Sequence, residues 1–114
     1  MEITKEILNS GCSTQFIYQE SYRLFEKIKN EVLGASILNI QKIIFNVTDY
    51  CRSNLYQLND IENEEQTLNY TINVTITMLR KIYIDSNIYY EEKTITNLYD
   101  NNELCKCIVV DWSN

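Results

Sequence analysis

Residues 68–84 read Leu68-Asn69-Tyr70-Thr71-Ile72-Asn73-Val74-Thr75-Ile76-Thr77-Met78-Leu79-Arg80-Lys81-Ile82-Tyr83-Ile84. Every second residue from Leu68 to Met78 is apolar, and the residues between them are Asn or Thr. Side chains alternate across a strand, so the rhythm predicts one strand with an apolar face and a polar one. Its Thr, Ile, Val and Tyr content points the same way. At about 3.3 Å per residue the run would exceed roughly 50 Å. A bend or bulge is therefore expected near Arg80, where a charge interrupts the apolar face. Tyr70, Ile72, Val74, Ile76 and Met78 are expected to lie beneath a helical layer.

Downstream, Asp85-Ser86-Asn87 is a set of turn residues. A hairpin closed by these three sets Ile84 against Ile88, Ile82 against Tyr90, Lys81 against Glu91 and Arg80 against Glu92. Arg80 and Glu92, on the otherwise apolar face, form the candidate polar pair; the plainer reading is an ion pair where the core runs out. Asp100-Asn101-Asn102-Glu103 is a second turn, with Asn at both central positions. Leu104 to Trp112 then reads as a final strand, apolar on both faces around Ile108, Val109 and Val110. Such a strand is central, covered on both sides, or set at a subunit contact. Tyr89, Ile95, Tyr99, Val109 and Trp112 are the candidate interface.

Upstream, both glycines fall where a helix is expected to stop. Glu2 to Ser10 carries Ile3, Ile7 and Leu8 on one side before Gly11. Ser13 or Thr14 caps a second helix running to about Leu33, with Ile17, Ser21, Leu24, Phe25, Ile28 and Val32 along one stripe and Gly34 at its end. Ile37 to Thr48 reads as a strand in which Ile43, Phe45 and Val47 share a face. Asp49 to Asp60 reads as another strand, in preference to a helical turn, and Asn59 to Gln66 as an acidic loop. Residues 1–114 thus form a single α+β domain: one short and one long N-terminal helix packed on a bent antiparallel sheet of four to five strands.

Charge and residue types bound the function. A net charge of −6 with no concentration of Lys or Arg argues against direct nucleic-acid binding. It suits docking onto a protein, including a basic or nucleic-acid-binding host protein. The N-terminal residues lack the basic and apolar regions of a secretory leader, and no run of about 18 apolar residues occurs, so no membrane span and a cytoplasmic location are expected. On that reading the sequons at Asn46, Asn69 and Asn73 are accidents of composition. The abundance of Asn, Ile, Tyr and Lys, with no Pro or His, resembles translation of an A+T-rich coding sequence, as in a low-GC bacterium, its phages or a large DNA virus. Cys12, Cys51, Cys105 and Cys107 lack zinc-knuckle spacing and read as small buried thiols. No metal or cofactor is expected.

The missing His removes Ser-His and Cys-His nucleophile systems. No glycine is placed to cradle phosphate. The expectation is a non-enzymatic protein-protein interaction protein: an accessory or inhibitory protein of a phage, virus or mobile element that binds a host protein and self-associates. The alternatives are a virion or tail assembly component forming a homo-oligomeric ring and, after it, a small-ligand-binding or carboxylate-based enzyme domain. The last would show a closed pocket of a few hundred Å³ between helix and sheet, with Glu92 in its wall.

Overall fold

The computed structural model describes residues 4–54, 64–96, 99 and 101–113. Its elements are α1 (Lys5–Leu8), α2 (Thr14–Ile37), β1 (Lys42–Asn46), α3 (Val47–Asn54), α4 (Glu64–Ile82), β2 (Asn87–Thr96) and β3 (Asn102–Asp111). The strands form one antiparallel sheet in the order β1-β3-β2. The chain is α+β, but among the described residues the sheet has three strands rather than four or five, and four helices accompany it.

The missing strand is the stretch that dominates the sequence: residues 64–82 are α4. Read at 100° per residue, the alternation hides three neighbouring rows. Leu68, Ile72 and Ile76, with Leu79, pack into the main core, while Tyr70, Val74 and Met78 pack with Ile7, Cys12 and Ile17. Between them runs Thr67, Thr71 and Thr75, all buried. The hydroxyls of Thr71 and Thr75 donate to the carbonyls one turn back, Thr67 and Thr71, at 2.8 and 2.7 Å. The polar face of the expected strand is thus the centre of the buried face of a helix. A threonine that bonds its own helix can enter a core without an unsatisfied hydroxyl. Burying Ile72, Ile76 and Leu79 contributes about 1.5–3 kcal/mol each, more than the helix penalty of the threonines, at most about 0.7 kcal/mol apiece. Arg80 and Lys81 in the last turn complement the helix dipole.

The expected pairing of residues 80–84 with 88–92 goes with that strand. Residues 84–86 do turn, but they join a helix to β2, and Ile84 is exposed instead of facing Ile88. The strand expected from Asp49 to Asp60 is helical as far as Asn54, its last described residue. Val47 and Cys51, one turn apart in α3, enter the core, and the Asn46 side chain caps the helix by accepting the Asp49 N–H at 3.0 Å. Residues 55–63, with most of the expected acidic loop, lie outside the described residues.

Other local expectations hold. Ser13 caps α2, accepting the Phe16 N–H at 3.2 Å, and Gly11 takes a positive φ of 81° after α1. α2 continues through Gly34 for another turn and ends at Asn39, which takes the left-handed conformation, φ 61°. There the Ile40 N–H returns to the Ala35 carbonyl at 2.9 Å and the Asn39 N–H to Ser36 at 3.1 Å, the paired bonds of a Schellman ending. β3, the strand apolar on both faces, is central, as that pattern implies.

Helices α2, α3 and α4 pack on the sheet face that carries Ile43, Phe45, Ile88, Ile108 and Val110. The opposite face carries Ile44, Tyr89, Glu91, Lys93, Ile95, Cys105, Cys107 and Val109. All four cysteines are buried thiols. Among the described residues no helix is long and apolar enough to cross a membrane.

Candidate functional site

The structure divides the expected interface residues. Tyr89 and Val109 are register partners on the sheet face away from the helices, and Ile44 flanks Val109 from the other side. Val109 is itself fully buried. Ile95 shares this face but lies farther along β2, opposite Glu103, and Tyr99 is exposed beyond the end of that strand. Trp112 lies on the other side of the sheet, half-buried against the core.

Arg80 and Glu92 do not meet. The Arg80 Nε and Nη2 donate to the Ile88 carbonyl at 3.0 and 2.6 Å, and Glu92 accepts the Tyr90 hydroxyl at 2.8 Å. Glu92 helps line an open pocket of about 330 Å³ between α4 and the sheet, with Glu65, Asn69, Tyr90 and Lys106. There Lys106 donates to Asn69 Oδ1 at 2.7 Å and lies 3.7 Å from Glu65. Burial, reinforced by the hydrogen bond to Glu92, pushes the Tyr90 phenol up to about 12. The pocket therefore presents a neutral phenol, two carboxylates and a held ammonium to solvent. It has the size and position of the expected catalytic pocket without being closed.

A more distinctive feature lies at the other side of the sheet, where the sequence reading placed nothing. Leu33, Ile37, Leu38, Ile40 and Ile44 are each between 41% and 76% exposed. They gather where α2 ends and β1 begins, because the inward positions of this last stretch of α2 are already filled by Ile28, Val32 and Ala35. Leu38, Ile40 and Ile44 line an open groove of about 570 Å³, with Asn30, Glu31 and Gly34 in its α2 wall and Lys42 at the strand. Leu38, Ile40 and Ile44, the three of these that line the groove, offer on the order of 300 Å² of apolar surface, while Leu33 and Ile37 lie farther round α2; the largest patch of a typical monomer is about 300–600 Å². A run such as Ile37-Leu38-Asn39-Ile40 just past a helical stripe was the available signal.

The same groove borders an edge of the sheet. The Trp112 N–H donates to the Gln41 carbonyl at 2.9 Å, so Gln41, Ile43 and Phe45 turn their main-chain groups toward β3. Lys42, Ile44 and Asn46 turn theirs outward. The same parity sends the Lys106 N–H to the β1 side, where Thr48 Oγ1 accepts it at 2.8 Å. No family model, no curated protein and no solved structure matches this chain.

Proposed function

We propose that this chain is a non-enzymatic binding protein that recognises another polypeptide through the aliphatic groove along β1. The observation that carries the reading is the coincidence of an aliphatic patch with an outward-facing strand edge. A partner strand would find main-chain hydrogen bonds at the edge and apolar contact beside it, the combination used in recognition by strand addition. The absence of His supports a non-catalytic role. The composition favours an accessory protein of an A+T-rich phage, virus or mobile element that occupies a host protein.

Leu38→Lys tests the reading, because Leu38 is exposed and the change leaves the core untouched. The wild-type chain is expected to retain a specific protein that the variant loses, and the pair is then expected to bind when reconstituted from purified components. Indistinguishable capture by wild type and variant would remove the groove as the recognition surface.

A further inference from the structure

We propose that the groove is filled by β1 of a second copy of this chain, paired antiparallel about a two-fold axis through Ile44. Two three-stranded sheets would then join into one. The proposal rests on the binding reading above and names what the groove holds in the chain on its own: a second copy, which a host protein would displace.

The first argument is the symmetry of the edge. Lys42, Ile44 and Asn46 are the outward-facing residues of a five-residue strand, and Ile44 is its midpoint. An antiparallel copy centred there sets Ile44 against its own counterpart, Lys42 against Asn46 and Asn46 against Lys42. The Ile44 pair exchanges both main-chain hydrogen bonds, and the Asn46 N–H meets the Lys42 carbonyl of the other copy, while the Asn46 carbonyl stays with α3. Charge follows this alignment. Lys42 of one copy meets the uncharged Asn46 of the other. The parallel alternative stacks Lys42 on Lys42.

Area is the second argument. The exposed aliphatic residues that line the groove, Leu38, Ile40 and Ile44, amount to on the order of 300 Å² per copy, against roughly 800 Å² per partner in a standard stable interface. The strand backbone and the polar rim at Asn30, Glu31 and Lys42 supply the remainder. On the face away from the helices, the central pair of Ile44 side chains would extend the row that Val109 and Tyr89 begin.

The third argument is Gly34. Glycine inside a helix costs about 1 kcal/mol relative to alanine. Nothing among the described residues explains it: its φ is not positive, and a Cβ built there meets none of their atoms within 4 Å. Gly34 lines the groove, where a missing side chain admits the close approach of a main chain.

The other edge of the sheet closes the assembly. Ile88 turns its carbonyl outward from β2, and Arg80 occupies it. Head-to-tail pairing of β1 on β2, which would propagate an open filament, thereby loses the Ile88 carbonyl as an acceptor. A closed dimer is the result.

The test begins with light scattering and sedimentation of the purified chain at tens of micromolar. The expected mass is twice the 13.5 kDa of one chain. Ile44→Lys and, independently, Gly34→Gln are expected to give folded monomers, with circular dichroism unchanged. Paired Ile44 residues would bring their Cα atoms to about 5.5 Å, so Ile44→Cys is expected to form an intermolecular disulfide on mild oxidation. The four native thiols are buried, and Ile43→Cys is the control that does not cross-link. A wild-type monomer would overturn the dimer. So would a dimer that survives both Ile44→Lys and Gly34→Gln, or an Ile44→Cys chain that fails to cross-link. If the wild-type chain is monomeric but Leu38→Lys still abolishes capture of another protein, self-pairing fails and the binding reading stands.

Discussion

Along β2 the carbonyl of Ile88 is held by two N–H groups of Arg80, and Glu91, Glu92 and Lys93 follow it along the strand. Along β1 the outward residues are Lys42, Ile44 and Asn46, beside an open aliphatic groove. Both margins belong to one sheet of three strands, and they are finished in opposite ways. Exposed edges invite pairing with other chains, and charged side chains at the edge are a common defence. The longer edge is defended here and the shorter one is left receptive. That asymmetry exists because α4 is a helix that ends beside β2 and delivers Arg80 to its edge.

The largest effect is therefore expected from disrupting α4. Thr75 is fully buried at the centre of the helix face that meets α2, where Ser21 Oγ also donates to the Thr71 carbonyl at 3.3 Å. Thr75→Lys is expected to cost about 3–5 kcal/mol, the penalty of an uncompensated buried charge, and to leave little folded protein. Asn73→Lys, on the exposed side of the same helix, is expected to change stability by less than about 0.5 kcal/mol. Urea denaturation of the two variants separates the helix from a strand, in which both positions would share the solvent face.

Removing the guard comes next. Arg80→Ala loses two hydrogen bonds from a charged donor, and such bonds contribute about 1.5–3 kcal/mol to stability. The midpoint of urea unfolding is expected to fall accordingly. The variant is also expected to form species larger than a dimer, because both edges then accept a strand. Arg80→Lys keeps the charge without the fork and is expected to fall between the two. An Arg80→Ala chain as stable and as monodisperse as wild type would mean that the guard has no effect.

Much of this fold can be read from residues with a single local meaning. Ser13 is placed to cap, Gly11 to end a helix, and Ile43 and Phe45 to share a strand face. The two apolar faces of residues 104–110 mark the central strand. The reading fails where one residue type has two physical uses. Threonine alternating with isoleucine describes a half-buried strand, but the same threonines also suit a buried helix row once their hydroxyls return to the carbonyls one turn back. Gly34 misleads similarly, since the left-handed residue that ends α2 is Asn39. Tyr89 and Val109 share a face by simple alternation. The groove depends on where α2 ends and on which strands lie at the margins, neither of which residue spacing records.

A gentler handle is alkaline pH, which acts on phenols and a thiol packed behind both edges. Burial pushes Tyr50 and Tyr83 above the ordinary value of 10.0, Tyr90 up to about 12, and Cys107 above its ordinary value of 9.0. In each case the folded chain holds its proton to a higher pH than the unfolded chain. The contribution is fully present below pH 9 and is lost as pH rises through the folded values. Stability is expected to decline from about pH 9 to 12, and Tyr90→Phe is expected to flatten the upper part of that decline. Unfolding followed across this range checks both, and a stability that rises above pH 10 would contradict the direction of these shifts.

The smallest effect probes the receptive edge, and its sign carries the information. Gly34→Ala places a methyl group where no atom of the described residues lies within 4 Å. Helix propensity alone then favours the variant by up to about 1 kcal/mol. Unfolding measured at a concentration low enough to keep the chain monomeric is expected to show that gain. Association is expected to respond in the opposite direction, because the methyl group occupies the wall against which an added strand would lie. A more stable monomer that dimerises more weakly ties the glycine to the neighbour. A more stable monomer with unchanged association would mean that no strand approaches α2 at this point, and the difference between the two edges would rest on Arg80 alone.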